Sequence, residues 1–212
     1  MSLVNRWFHR PTLHSPGPGH HRRVGWLELF YDLVFVATFI RLGNALAANI
    51  SVPGFIAFGM LTAPIWYTWT GFTFYTNRFV IDDAAHRMLV FLQMFAIGGV
   101  AISLADVFHG DTRVFALLYT LVRLVLVMLY TRAWKHVPEA RDMTRRYILG
   151  FSAGAAIWFA SAFVPAPWVF LVWVGAMAID LSTALSRQSR EVMNRHPPDI
   201  VHMSERYGLL TI

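Results

Sequence analysis

Apolar residues run through this chain in long unbroken blocks rather than in alternation. After a polar stretch at residues 1–25, blocks cover about 26–48, 54–76, 85–106, 113–133, 145–163 and 167–185, and a seventh begins at 199. Each of the first six holds roughly 19–23 residues, close to the ~20 an α-helix needs to cross ~30 Å of hydrocarbon. Barrel strands are shorter and alternate, and a backbone in lipid must satisfy its own polar groups, which leaves helices. The pattern predicts an all-α, polytopic transmembrane helical bundle with six spanning helices plus an incomplete seventh. Residues 199–212 would make only about 21 Å of helix, short of the hydrocarbon thickness. Residues 49–54 and 164–167 read as short uncharged turns. Pro64 falls inside the second block and is expected to kink it, freeing a backbone carbonyl.

Composition agrees. Hydrophobic residues make up 56% of the chain and charged residues 14%, against about 25% charged in soluble domains. That excludes a water-soluble globule and a disordered chain. The absence of cysteine removes disulfides, thiolate metal sites and a cysteine nucleophile. The formal charge is +6, and all the basic residues but Lys135 are Arg. On a soluble chain this would suggest nucleic acid. Here the distribution explains it. With the N-terminus cytoplasmic, the inner segments hold Arg6, Arg10, Arg22 and Arg23, then Arg78 and Arg87, then Arg132 to Arg146, then Arg187 to Arg195; the outer loops hold only Arg113. Topology therefore accounts for the basicity, and no nucleic-acid partner is expected.

The N-terminal stretch has no apolar core before a cleavage site, so no signal peptide is read there. It reads as a cytoplasmic tail attracted to anionic membrane lipids. Its His9, His14, His20 and His21 match no metal-site spacing.

Eight ionisable groups fall in the apolar blocks: Glu28, Asp32, Arg41, Arg123, Asp180, His202, Glu205 and Arg206. Each costs about 2.5–3.5 kcal/mol at the centre of a membrane helix and so needs a partner or a function. Glu28 and Asp32 are four residues apart on one helix face; His202, Glu205 and Arg206 follow the i, i+3, i+4 spacing of another. With Asp180 they lie at similar shallow depth on the cytoplasmic side, where they can form one ion or proton cluster. Arg123 is too deep to snorkel and is expected to find a carboxylate or the carbonyl freed at Pro64. Arg41 is near enough to the outer boundary to snorkel. Arg87 could reach the cluster, and Asp82 and Asp83 suit the positive end of the third helix.

Three chemistries remain open for the cluster. Buried ion pairs can simply fix helix register; carboxylates and a histidine can pass a proton or cation; and carboxylates with a Glu/His pair resemble di-iron bundles, although the repeated Glu-x-x-His is missing. No cofactor motif is present. The aromatic residues Trp66, Tyr67, Trp69, Phe72, Phe74 and Tyr75 are read as packing and anchoring, with a stacked planar ligand as the alternative. Gly150 and Gly154 form a GxxxG, read as packing within the chain ahead of a seam between copies in a homo-oligomer.

Two segments carry a family resemblance. Trp26-Leu27-Glu28-Leu29-Phe30-Tyr31-Asp32-Leu33-Val34-Phe35-Val36 resembles the opening helix of the bacterial low temperature requirement protein A (LtrA) family. His202-Met203-Ser204-Glu205-Arg206-Tyr207-Gly208-Leu209-Leu210-Thr211-Ile212 resembles a later motif of the same family. Asn77-Arg78-Phe79, Asp82-Asp83, Arg87 and Gln93-Met94 are similar to the pattern between them. The resemblance implies a multi-pass protein of the bacterial inner membrane and a chain corresponding to the N-terminal part of a longer protein, or to a truncated gene product. It implies no substrate. The leading expectation is a secondary transporter or an ion- or proton-coupled permeation module. Glu28, Asp32 and Glu205 would exchange the ion, His202 would relay a proton, and Arg206 and Arg123 would tune the carboxylates. A structural or regulatory membrane protein and a metal-dependent membrane enzyme are the alternatives.

Overall fold

The computed structural model describes residues 11–13, 24–81, 83–185 and 200–210. Seven helices account for nearly all of them: α1 Trp26–Ala47, α2 Val52–Arg78, α3 Ala84–Phe108, α4 Arg113–His136, α5 Arg141–Ser161, α6 Trp168–Leu185 and α7 Ile200–Leu210. The helix starts are set by local chemistry. The Glu28 carboxylate accepts the Gly25 N–H (3.0 Å) at the head of α1. Ser51 Oγ accepts the Gly54 N–H (3.1 Å) at the head of α2, and Asp83 Oδ1 accepts the His86 N–H (2.9 Å) at the head of α3, each satisfying a donor the helix leaves unpaired. Gly110, at φ 92°, turns the chain between α3 and α4 in a conformation that only glycine adopts without strain.

α1, α3, α4, α5 and α6 pack in that order as an arc. α2 nests against it, touching α1, α4 and α6, while α7 docks on α1 and α2. The short connections make sequence neighbours run antiparallel. One end of the bundle therefore holds the α2–α3 and α4–α5 connections, and the other the α1–α2, α3–α4 and α5–α6 turns. At the first end Thr12–Leu13 (β1) pairs antiparallel with Phe79–Val80 (β2), Thr12 opposite Val80. Two-residue strands have no periodicity to read, so nothing in the sequence announces them.

Among the described residues, three helices are long and apolar enough to cross a membrane: α1, α3 and α4; the apolar stretch of α6, Trp168–Thr183, is shorter. The others fall short for identifiable reasons. α2 carries Thr62, Thr68, Thr70, Thr73, Thr76 and Asn77 among its aromatic residues. α5 starts with Arg141, Asp142, Arg145 and Arg146, before the apolar block proper. Large apolar side chains such as Phe95 (78% exposed) and Ile102 point outward, as a lipid-facing surface requires and a water-facing one does not.

Candidate functional site: two buried ion pairs on either side of α2

α2 carries two working faces. Trp69, Phe72 and Thr76 fall at i, i+3 and i+7 on the side that meets α1 and α7, and Tyr67, two residues before Trp69, points the other way, toward α4 and α6. Each face closes on a buried arginine–aspartate pair.

The first pair joins the ends of the chain. Arg206 on α7 donates from Nε to Asp32 Oδ2 (2.9 Å) and from Nη2 to Asp32 Oδ1 (2.6 Å). Its third nitrogen, Nη1, donates to Thr76 Oγ1 (2.8 Å). The Trp69 indole N–H donates to Asp32 Oδ1 (2.8 Å). The guanidinium lies 5.9 Å from the Trp69 ring and 5.8 Å from the Phe72 ring, and Tyr207 packs edge-on against Trp69 at 4.7 Å. Both charged side chains are essentially inaccessible. Every nitrogen of Arg206 and both oxygens of Asp32 are in use, in the side-on two-bond geometry that suits guanidinium and carboxylate best.

The second pair is built differently. Arg123 on α4 reaches Asp180 on α6 through a single short contact, Nη2 to Oδ1, and both side chains are wholly buried. The rings of Phe151 and Tyr67 flank the guanidinium at 4.6 and 5.2 Å. Tyr67 donates its hydroxyl to the backbone carbonyl of Asp180 (2.7 Å). Among the described residues no group bonds Arg123 Nε, Arg123 Nη1 or Asp180 Oδ2. Gly154 on α5 makes room for the carboxylate: a Cβ there would stand 2.5 Å from Asp180 Oδ1. The GxxxG face thus packs inside the chain, since a Cβ on Gly150 would likewise meet Thr183 of α6 at 2.4 Å.

One turn before Arg123, Tyr119 ties α4 to the proline of α2. Its hydroxyl donates to the Pro64 carbonyl (2.9 Å) and accepts from Thr68 Oγ1 (3.0 Å). Arg123 itself finds the carboxylate, and Tyr119 meets the proline.

The structure divides the group of charges that sequence depth placed together. Asp32 and Arg206 meet. Asp180 joins Arg123 instead, because α6 packs on α5 and α2. Glu28 is buried and turned onto the head of its own helix. Glu205 is exposed; consecutive helical residues point about 100° apart, so Arg206 facing inward turns Glu205 outward. The side chain of His202, Asp82, and the histidines of the N-terminal tail lie outside the described residues. Arg87 and Arg41 are exposed. A third, more peripheral pair holds the α2–α3 connection to α4: Arg132 donates through both terminal nitrogens to Asp83, from Nη1 at 2.9 Å. Among the described residues, no group of three His, Asp or Glu side chains is placed to hold a metal ion.

Several contributors to these sites carried only weak sequence signals. Trp69, Thr76, Tyr67 and Tyr119 are ordinary residues of an apolar helix until their faces are known. Away from both pairs, Gln93 is fully buried on α3 with both amide atoms unbonded among the described residues.

Residues 23–212 match the family described as bacterial low temperature requirement A protein (LtrA). One curated relative, the uncharacterized protein RA0937 of Rhizobium meliloti (strain 1021), is 24% identical over 192 residues, which is 87% of this chain and 47% of that protein. The chain thus spans about half the length of the curated relative it matches. No solved structure matches it.

Proposed function

The chain belongs to the LtrA family and is a membrane protein, and from that premise we propose that it is a secondary transporter or proton-coupled permeation module of the bacterial inner membrane. In this reading six helices, α1 to α6, span the bilayer, α2 among them despite its polar interior, and the N-terminus is cytoplasmic. The Arg distribution between the two ends of the bundle supports that orientation.

The observation that carries the reading is the unspent bonding capacity at Arg123 and Asp180. An ionised group buried in lipid is expensive, and evolution keeps such groups where they bind or move something. A pair that served only to lock helices would be expected to use its donors and acceptors fully, as Asp32 and Arg206 do. We therefore assign proton or ion exchange to Asp180, and place Asp32 and Arg206 as the clamp that seats α7. Glu28 and Glu205 drop out of the exchanging group in this reading, because one caps its helix and the other faces outward.

Purified protein in liposomes loaded with a pH-reporting dye tests it. Under an imposed pH gradient, Asp180→Asn should abolish protein-dependent proton flux while detergent-solubilised protein keeps its helical content. Flux at the wild-type rate in that variant would sink the assignment. The second reading, a structural membrane protein, is favoured by the saturated Asp32–Arg206 pair; it predicts no flux from folded wild-type protein.

A further inference from the structure

We infer that the Arg123–Asp180 site carries a small monovalent anion together with one proton, the anion taking the place that the Asp180 carboxylate occupies against Arg123. This rests on the transport reading and deepens it.

A site this deeply buried cannot tolerate net charge. Arginine is the side chain that stays cationic at any ordinary pH. The site can then be neutral in two ways. In the first, the Asp180 carboxylate balances the guanidinium, as observed. In the second, a proton binds a carboxylate oxygen of Asp180, the ionic contact to Nη2 is released, and an external anion takes over the positive charge. No covalent bond to carbon is made or broken. The proton that neutralises Asp180 enters with the anion, and both leave together when the carboxylate returns to Nη2.

The geometry provides for that exchange. Asp180 Oδ2 has no bonded partner among the described residues, so it is open to a proton. Arg123 holds its carboxylate by one nitrogen only, and once that contact is released Nε and Nη2 form the planar two-donor edge that recognises carboxylate-like anions. The Phe151 and Tyr67 rings lie against the guanidinium, 4.6 and 5.2 Å from its carbon, and take up room that an anion away from that edge would need. Gly154 limits its size: the space beside Oδ1 is so tight that a single Cβ would intrude to 2.5 Å. An anion that replaces a carboxylate there is itself the size of a carboxylate, such as nitrate or formate.

The other ionisable groups near Asp180 leave this balance intact. Arg123 and Tyr119 approach from α4 and Tyr67 from α2, while Tyr147 of α5 lies within reach of Tyr67. Arg123 is the one basic side chain among these neighbours, and the others are phenols. At the first pair the same exchange is blocked, because Trp69 and Thr76 take up the bonding capacity that Asp32 and Arg206 leave.

The probe is nitrate. Wild-type protein is reconstituted in vesicles with potassium gluconate and a pH-reporting dye inside, and potassium nitrate outside. Valinomycin with equal potassium holds the membrane potential at zero. The inward nitrate gradient should acidify the lumen above the protein-free baseline, with one proton per nitrate. Setting the potential by unequal potassium should leave the rate unchanged, because a neutral pair is carried. Asp180→Asn, which imitates the protonated carboxylate, should lose acidification yet still exchange labelled nitrate. Proton flux that responds to a pH gradient but ignores nitrate would overturn the anion while leaving proton transport standing. Absence of any flux from folded wild-type protein would overturn both. The wild-type stoichiometry and voltage independence decide the question even if the variant fails to fold.

Discussion

The two arginine–aspartate pairs sit on opposite faces of one helix and share the same chemistry, yet they are finished to different degrees. Arg206 and Asp32 spend their bonding capacity on each other, Thr76 and Trp69. Arg123 and Asp180 share one contact and leave two nitrogens and an oxygen without a protein partner among the described residues. Burial does not distinguish them, since both are wholly enclosed. Aromatic rings lie against both guanidiniums; the difference is that polar side-chain groups of α2 bond the first pair, while a glycine leaves room beside the second. A closed pair has one low-energy arrangement and so fixes a helix. In the proposed transport reading the open pair has a second arrangement within reach, which a carrier needs and a clamp does not.

The largest expected effect comes from breaking the closed pair. Arg206→Ala leaves the Asp32 carboxylate buried with Trp69 as its one remaining side-chain donor among the described residues, and removing one partner of a buried pair costs about 3–5 kcal/mol. Denaturant unfolding in detergent should show a loss of that size, with α7 becoming sensitive to protease. Replacing both members by apolar residues, Asp32→Leu with Arg206→Met, should recover most of it, since a well-packed apolar pair often matches a buried ionic one. A loss below about 1 kcal/mol in the single variant would mean that α7 is held by Tyr207 and its other packing contacts, and the pair would no longer qualify as a clamp.

The open pair should respond to a change that touches no charge. Gly154→Ala places a methyl group against Asp180 Oδ1, at 2.5 Å in the unrelaxed geometry. Overpacking of this kind costs about 1–3 kcal/mol. The carboxylate must also shift on Arg123, so transport should fall in step. Gly150→Ala separates the two consequences. It meets Thr183 on the same helix at 2.4 Å, so its stability loss should be similar while transport survives. Equal transport losses in both variants would make the α5–α6 contact, rather than the carboxylate, the sensitive element.

Much of this was legible in the sequence, and the reasons for the remainder are physical. The helices begin and end within a few residues of the apolar blocks, because a lipid-facing helix must be apolar along its length. α5 departs most: it starts at Arg141, where the chain is still charged and only the turn at Pro138–Ala140 marks a beginning. All four members of the two pairs stood out as charges in apolar surroundings. Their pairing did not. Depth along a helix follows from residue number, but which helix lies alongside does not, so depth alone groups Asp180 with Asp32 although α6 lies against α5 and α2. The face of α7 was also ambiguous, since Glu205 and Arg206 are neighbours that cannot both point inward. Gly154 announced a close approach without announcing that a carboxylate occupies the space.

The smallest effect, and the one that draws the boundary of the open pair most finely, belongs to Tyr119. Its ring lies 4.3 Å from Trp158 and 6.0 Å from Phe115, contacts that Tyr119→Phe retains. Only the hydroxyl goes, and with it the link from α4 to the Pro64 carbonyl and to Thr68. Thr68 can turn its own hydroxyl onto a carbonyl one turn back, as Thr62 does on Phe58 at 2.7 Å, so little is left unsatisfied. The expected loss is about 0.5–1.5 kcal/mol, that of an ordinary hydrogen bond. The consequence for transport separates two roles. If Tyr119 only steadies α2 at its proline, the rate changes while the ratio of protons to nitrate stays at one. If that ratio falls, the hydroxyl one turn from Arg123 belongs to the proton's route, and the open pair extends along α4 to the proline of α2.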